Sequence, residues 1–198
     1  MPVADSEIHS GKVRKILFHP GSFYAIIFCK EFLYVWDTRR NTPIWRIALD
    51  LVPLDACWMN LTPEQPASLL AVLSDNGKLA CFSLNGLFFP VRVRKQESRM
   101  HKASNNPAVY GVLTCANEMI ASSLGGDVTW RNLSQGRQFE TLAASQIFVD
   151  PKHHGYITQL QLLTSTRLLI FNALWKIVID YEISSKTRSA IIDLEYHP

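Results

Sequence analysis

The stretch SLLAVLSDNGKLACFSL, residues 68–84, places a tight turn signal between two short apolar runs. The runs extend from Ser68 to Leu73 and from Lys78 to Leu84, and Asn76-Gly77 lies between them. Asn-Gly tolerates the positive φ angles of a two-residue turn, so this stretch predicts a β-hairpin. Similar runs recur roughly every ten residues, and no long stretch keeps the apolar period of a helix. The sequence therefore predicts an all-β protein.

The apolar runs group into units of four. The predicted units cover residues 9–50, 51–95, 106–143 and 144–185, and residues 189–198 are predicted to begin a further unit. In the second unit the last run is Leu87 to Val93. In the fourth unit the runs are Gln146 to Val149, Tyr156 to Leu163, Arg167 to Phe171 and Lys176 to Ile183. Each unit has the content of a small antiparallel sheet.

The repeat period identifies the kind of sheet protein. Trp36, Phe82 and Trp130, in the third run of their units, lie 46 and 48 residues apart, and Pro20 and Pro198 are separated by 178 residues, or 44.5 per unit. A period of about 40 to 45 residues with four strands is that of a β-propeller blade. We predict about four blades plus the first strand of a fifth, in an incomplete or open ring. A compact four-bladed ring, a fragment of a larger propeller and an open ring completed by another chain all remain open.

Composition excludes several classes of protein. An apolar fraction of 47% and a charged fraction of 19% exclude a disordered chain. The net charge of +3 is too weak to make nucleic acid the default partner. The amino-terminal residues do not resemble a signal peptide, and no apolar run is long enough for a membrane helix, so we expect no membrane span and a cytoplasmic or nuclear location. The four widely spaced cysteines are interpreted as small buried hydrophobic residues.

The first unit resembles a WD repeat. The resemblance rests on residues 9–21, HSGKVRKILFHPG, followed by FLYVWD at residues 32–37. The second unit matches through Ser74-Asp75-Asn76-Gly77 but has Phe82-Ser83 near the Trp-Asp position, and the third has Trp130-Arg131. The resemblance implies a WD-repeat-like propeller with degenerate repeats. It also implies that Trp36 packs between sheets and that polar residues tie the blades together.

One cluster has residue types suited to catalysis or metal binding. Asp150, His153 and His154 could in principle bind zinc or transfer a proton. However, adjacent side chains in extended backbone point to opposite faces, so the two histidines are not expected to converge on one ion. We interpret the segment as a polar loop between strands. With no catalytic, cofactor-binding or metal-binding motif in the sequence, we expect a protein that is not an enzyme and has no cofactor.

The candidate partner-binding residues lie in one apolar and basic segment. They are Phe88, Phe89, Arg92, Arg94, Lys95, Arg99 and Lys102. Arg92 and Arg94 are two apart on a predicted strand and would share a face, and His101 adds to the basic character of the segment. An acidic protein tail, a phosphate or RNA could bind there, and a solvated outer strand leading into a loop is the simpler interpretation.

These observations support two hypotheses from different classes. The first is a non-catalytic scaffold or adaptor that binds other proteins, as a subunit of a multiprotein assembly and with an open edge that another chain could complete. The second is a nucleic-acid- or phosphate-binding propeller module that uses the basic segment from Arg92 to Lys102. A hydrolase built on Asp150, His153 and His154 is the weakest alternative.

Overall fold

The computed structural model of this chain describes residues 13–20, 22–59, 69–84, 93–101, 108, 110–116, 119–132, 139–148, 150–154 and 157–193. Within these residues the chain forms four antiparallel four-stranded sheets, each with its strands in sequence order. The prediction of an all-β propeller with about four blades is confirmed. Successive strands pair with their sequence neighbours, so every blade is a simple meander.

The strands of each blade run from the innermost to the outermost. Blade 1 contains β1 (Lys15–Phe18), β2 (Tyr24–Phe28), β3 (Phe32–Asp37) and β4 (Thr42–Ala48). Blade 2 contains β5 (Pro53–Met59), β6 (Leu69–Ser74), β7 (Lys78–Leu84) and β8 (Val93–Arg99). Blade 3 contains β9 (Gly111–Ala116), β10 (Met119–Leu124), β11 (Asp127–Asn132) and β12 (Glu140–Leu142). Blade 4 contains β13 (Gln159–Leu162), β14 (Arg167–Asn172), β15 (Ile177–Glu182) and β16 (Thr187–Asp193).

A tight turn joins β6 and β7 at the predicted place, but it contains three residues, Asp75, Asn76 and Gly77, and of these only Gly77 has positive φ. Gly77 has φ +77°, and its N–H donates to the carbonyl of Ser74 at 3.0 Å. The Ser74 hydroxyl donates to the Lys78 carbonyl at 2.9 Å, so a side-chain hydrogen bond also joins the two ends of the turn. A Cβ at Gly77 would lie 3.0 Å from the Cβ of His101. Glycine is therefore required here both for the backbone angle and for space.

In the part of the chain that the structure describes, the hydrophobic core consists of three clusters, each lying between successive blades. One joins blades 1 and 2 around Phe28 and Leu70, the next joins blades 2 and 3 around Leu73 and Ile120, and the third joins blades 3 and 4. The inner strands pack in the same order, β1 beside β5, β5 beside β9 and β9 beside β13. Among the described residues, no core cluster joins blade 4 to blade 1.

The outer strand of blade 2 differs from its prediction. The sequence places this strand at Leu87 to Val93, whereas in the structure β8 runs from Val93 to Arg99 and pairs with β7 along its whole length. An outer strand needs only one backbone edge to pair, so its side chains can be polar. The polar sequence of β8 therefore does not reveal its strand character.

The first and last strands of blade 4 were also predicted wrongly. Residues Gln146 to Val149 were predicted as the inner strand, but Ala144–Ile147 form a short helix, α1, and the inner strand is β13. The second, third and fourth predicted runs of this unit therefore correspond to the first, second and third strands of blade 4. The segment 189–198, predicted to begin a fifth blade, instead contributes its described part to β16, which pairs with β15 as the outer strand of blade 4.

The cysteines do not all behave as buried hydrophobic residues. Cys29 is buried, whereas Cys57 on β5 and Cys115 on β9 are half-buried and form a disulfide between blades 2 and 3. The prediction was wrong for this pair because residues 58 positions apart in sequence become neighbours when inner strands pack side by side. No helix in the described part of the chain is long and apolar enough to cross a membrane.

Candidate interaction surfaces

The predicted basic segment is only partly within the described residues. Arg94, Lys95 and Arg99 lie on β8, with Glu97 between the last two. Consecutive strand positions alternate between the two faces of a sheet, so position 94 falls on the opposite face from positions 95 and 99. Arg99 is exposed, and partner binding by these residues stays a prediction.

The other predicted partner-binding residues cannot be placed relative to β8. Phe88, Phe89, Arg92 and Lys102 lie outside the described residues. The predicted sharing of a strand face by Arg92 and Arg94 is untested for the same reason, because β8 begins at Val93.

His101 is a buried tie between blades 2 and 3, not part of a basic surface. Its Nε2 lies 2.8 Å from the hydroxyl oxygen of Ser122 on β10, and the residue is only 7% exposed. Burial lowers the pKa of His101 to about 4, and the charge of Asp127 opposes that shift more weakly. His101 is therefore neutral at physiological pH, and the prediction that it adds positive charge was wrong.

Asp150, His153 and His154 lie in the connection between blades 3 and 4, where both histidine rings lie near the Phe148 ring. The Asp150 carboxylate accepts from the Lys152 N–H at 3.0 Å and pairs with the Lys152 ammonium at 2.9 Å, which holds the pKa of that carboxyl below its usual range. The His153 ring lies 4.9 Å from the Trp175 ring, and His154 Nε2 lies 3.3 Å from the Phe148 carbonyl oxygen. Within the described residues, no three His, Cys, Asp or Glu side chains are placed to hold a metal ion.

Asp55 connects three blades beside a cleft of about 450 Å³ at the inner strands. One carboxylate oxygen pairs with the Lys15 ammonium of blade 1 and accepts from the Ala56 N–H at 2.8 Å. The other accepts from the Leu113 N–H of blade 3 at 2.7 Å. The Asp55 side chain is 14% exposed, so these are charge-assisted bonds partly shielded from water. Sequence reasoning missed Asp55, because nothing marks an acidic residue within an apolar run as a bridge.

The face of blade 1 that points away from blade 2, here called the far face, carries large exposed apolar side chains. Strand register places Ile16 of β1 opposite Ile27 of β2. It also places Phe18 of β1 opposite Ala25 of β2, which in turn lies opposite Trp36 of β3. Ile16 is 49% exposed and Phe18 is 71% exposed, whereas the alternate residue Leu17 packs toward blade 2. On the same face Ala25 and Tyr34 of the next two strands are buried, so the exposed apolar side chains of the far face lie mainly on its inner strand.

Trp36 and Asp37 have roles different from those that the resemblance implies. Trp36 is half-buried and lies on the far face, so it does not pack between two sheets within the described residues. Asp37 accepts from the N–H groups of Arg39 and Arg40 at 2.9 and 3.1 Å, which stabilises the turn of its own blade. In blade 3 the aligned aromatic, Trp130, is buried against Tyr181 of blade 4.

Comparison of the fold with solved structures finds Hsv2 propellers. Hsv2 of Kluyveromyces lactis superposes with a TM-score of 0.59 at 12% identity, over 91% of this chain and 50% of that chain. Hsv2 of Kluyveromyces marxianus gives 0.59 at 14% identity, over 90% and 51%. No family model and no curated protein sequence matches this chain. The chain spans about half the length of the solved chains it resembles, and its fold is that of an all-β propeller with about four blades.

Proposed function

We propose that this chain is a non-catalytic, WD-repeat-like scaffold that binds other proteins as a subunit of a multiprotein assembly. The fold supports a binding role, because propellers present broad surfaces, although the same fold also carries enzymes. The tie between His101 and Ser122 is the kind of polar link between blades that the WD resemblance implies. The Asp150 carboxylate pairs with Lys152 and the His154 ring contacts the Phe148 carbonyl oxygen, and these contacts argue against the hydrolase alternative.

The far face of blade 1 is the observation on which this proposal rests most heavily. A Phe that is 71% exposed beside an Ile that is 49% exposed leaves apolar area in water that a partner could cover. The corresponding faces of blades 2, 3 and 4 are each covered by the preceding blade. On the far face itself Ala25 and Tyr34 are already buried, so a partner would cover chiefly Ile16 and Phe18 of the inner strand.

The partner that fits the far face is a propeller blade supplied by another protein. Each interface between blades in this chain buries aliphatic and aromatic side chains from two facing sheets, as Phe28 and Leu70 do between blades 1 and 2. A second sheet over Ile16 and Phe18 would remove both side chains from water in the same way. Such an interface would be largely apolar and insensitive to salt.

Site-specific photo-crosslinking in the native cells tests this function. With a photoreactive phenylalanine analogue at position 18, we expect one protein to crosslink, and we expect it to co-purify at one-to-one stoichiometry by light scattering. The same analogue at Leu174, which is 57% exposed in the turn between β14 and β15, should not capture that protein. Phe18→Glu should abolish co-purification while the variant remains folded. A chain that purifies alone, with no crosslink from position 18, would refute the proposal.

The nucleic-acid or phosphate alternative stays a prediction for the segment from Arg92 to Lys102. It requires affinity for RNA or phosphate that falls steeply with salt, because bound cations release counterions. The double variant Arg92→Glu, Arg94→Glu should then abolish binding. Binding that is absent in the unmodified chain, or unchanged in the double variant, would reject this alternative.

A further inference from the structure

The disulfide between the inner strands of blades 2 and 3 lies beside a second link between the same strands. Cys57 on β5 and Cys115 on β9 have their Cα atoms 6.3 Å apart, within the usual range for bonded cysteines. Two positions earlier on each strand, the Asp55 carboxylate accepts from the Leu113 N–H at 2.7 Å. β5 and β9 are thus joined at two successive points, one hydrogen-bonded and one covalent.

The two cysteines are held together by more than their own bond. Besides that hydrogen bond, an apolar cluster that includes Leu73, Leu113 and Ile120 packs blade 2 against blade 3. The tie between His101 and Ser122 joins the same two blades. We therefore expect reduction of the disulfide to leave both thiols side by side, so that the bond can form again without refolding.

The disulfide lies at the margin of the core. Cys57 and Cys115 are half-buried and pack against the apolar cluster from outside its fully buried residues. Structural disulfides resist reduction by glutathione, whereas exposed ones exchange more readily with small thiols. A bond in this position suits a disulfide that opens and closes in the folded chain.

The other two cysteines are poorly placed to replace this pair. Cys81 on β7 packs against the same cluster, but burial raises the pKa of its thiol to about 11, and the charge of Arg131 opposes that shift more weakly. A protonated thiol is a poor nucleophile. Cys29 is buried in blade 1, just after β2. The fold therefore favours one specific pair.

We propose that Cys57 and Cys115 form a reversible redox clasp, which locks the interface between blades 2 and 3 when oxidised and lets it open when reduced. The exchanging partners are glutathione and glutathione disulfide. This inference goes beyond the proposed scaffold function and does not depend on it, because the clasp lies on the opposite side of blade 2 from blade 1.

Reduction of the clasp consumes two glutathione molecules. The thiolate of the first attacks one cysteine sulfur, breaks the protein S–S bond and releases the other cysteine, which takes up a proton. The thiolate of the second attacks the resulting mixed disulfide, releases the remaining cysteine as a thiol and departs as glutathione disulfide. The protein gains two electrons and two protons, and oxidation by glutathione disulfide runs the same steps in reverse.

The clasp changes how firmly blades 2 and 3 hold each other. The closed bond joins residues 58 positions apart and stabilises the chain by restricting its unfolded state. Without the bond, non-covalent contacts alone hold the two blades, so their interface opens more often. Opening uncovers the cluster around Leu73 and Ile120, together with Cys81 at its edge.

Equilibration of the full chain in defined mixtures of glutathione and glutathione disulfide tests the clasp. After an acid quench, free thiols are alkylated and located by peptide mass spectrometry. We expect Cys57 and Cys115 to change together from bonded to free across the mixtures, and to return when the mixture is reversed. Cys81→Ser removes the neighbouring thiol and should leave this titration unchanged.

Three results of the titration would each overturn the proposal. The first is a bond that no glutathione mixture reduces while the chain stays folded. The second is a pair of thiols that no mixture oxidises. The third is a bond that includes Cys81 or Cys29, since the fold would then not select the pair.

The double variant Cys57→Ser, Cys115→Ser tests the opening of the interface. It should melt at the temperature of the reduced unmodified chain and below that of the oxidised chain. Iodoacetamide should modify Cys81 several-fold faster in the double variant than in the oxidised chain, whereas Cys29 in blade 1 should react equally fast in both. The reduced unmodified chain supplies the same comparison if the double variant does not fold.

The two alkylation rates distinguish local opening from other effects. An unchanged rate at Cys81 would show that the interface stays closed without the bond. A rate that rises equally at Cys29 would show that the whole chain loosens. Either result overturns the proposal, and neither bears on the crosslink from position 18.

Discussion

Removing the Asp55 carboxylate should destabilise the chain more than its partial exposure suggests. Asp55→Ala deletes the acceptor of the Leu113 N–H and the partner of the Lys15 ammonium. A hydrogen bond to a charged group contributes about 1.5 to 3 kcal/mol, and a partly exposed ion pair contributes about 0.2 to 1 kcal/mol. The expected loss in the free energy of unfolding is therefore about 2 to 4 kcal/mol.

Urea unfolding followed by tryptophan fluorescence measures this loss. With a slope of about 1 to 3 kcal/mol per molar urea, the midpoint should fall by about 0.7 M or more while the slope stays constant. Asp55→Asn keeps one acceptor oxygen and should lose less. Glu31→Ala, at an exposed acid between β2 and β3, should stay within about 0.5 kcal/mol of the unmodified chain.

A double-mutant cycle separates the two contacts. Lys15→Met, Asp55→Ala and the combined variant should give a coupling energy of about 0.2 to 1 kcal/mol, with the remaining cost assigned to the Leu113 N–H. A loss below about 0.5 kcal/mol in Asp55→Ala would refute the reasoning. It would mean that water replaces the carboxylate at both contacts without cost.

Three further predictions follow from the ties between blades. In the folded chain the pKa of His101 lies near 4, below the ordinary value of 6.5, so its contribution to stability is present above about pH 6.5 and is lost as the pH falls toward 4. The free energy of unfolding measured across that range should fall by up to about 3 kcal/mol. The variant His101→Gln should show a smaller fall. Gly77→Ala should cost more than Gly125→Ala, because both have positive φ but only Gly77 has His101 at 3.0 Å from an added Cβ; equal midpoints would argue against that contact. Trp130→Ala should lower the free energy of unfolding by about 3 to 5 kcal/mol and Trp36→Ala by clearly less, since Trp130 is buried and Trp36 is half-buried. A lower melting temperature for Trp36→Ala than for Trp130→Ala would contradict the packing of blade 3 on blade 4.

The sequence predicted those strands whose side chains are buried. The runs around Leu69–Ser74 and Lys78–Leu84 match β6 and β7 closely, and Trp36, Phe82 and Trp130 all fall on third strands. The middle strands β6 and β10 are buried along almost their whole length, so their apolar residues mark them in sequence. The outer strand β8 lacks that mark, because its position requires only backbone pairing with β7.

The segment before blade 4 shows a different limit of sequence reasoning. Ile147 and Phe148 are buried in the core between blades 3 and 4, as an inner strand would be. The backbone from Ala144 to Ile147 forms a helical turn, Phe148 after it is extended, and two side-chain contacts stabilise the beginning of the turn. Asp127 accepts from the Ala144 N–H at 2.9 Å, and Gln146 accepts from the Ala143 N–H at 3.0 Å. Hydrophobicity therefore located a core segment correctly but could not distinguish a strand from a helical turn.

The candidate surfaces were harder to predict than the fold. The Asp55 carboxylate contacts residues of blades 1 and 3, and the tie between His101 and Ser122 joins residues from two blades. Neither is a local pattern in the sequence. Both arise from how blades align after folding.

The core clusters between successive blades make this chain behave as a one-dimensional array. Its stability is then approximately the sum of the contributions of the blades and of the interfaces between neighbours. Within the described residues, blades 2 and 3 are each held by two interfaces, whereas blades 1 and 4 are each held by one. Amide hydrogen exchange should accordingly be slowest in β6 and β10 and faster in β2 and β14. A protein that covers the far face would supply blade 1 with a second interface, and binding would be read out as slower exchange in β2.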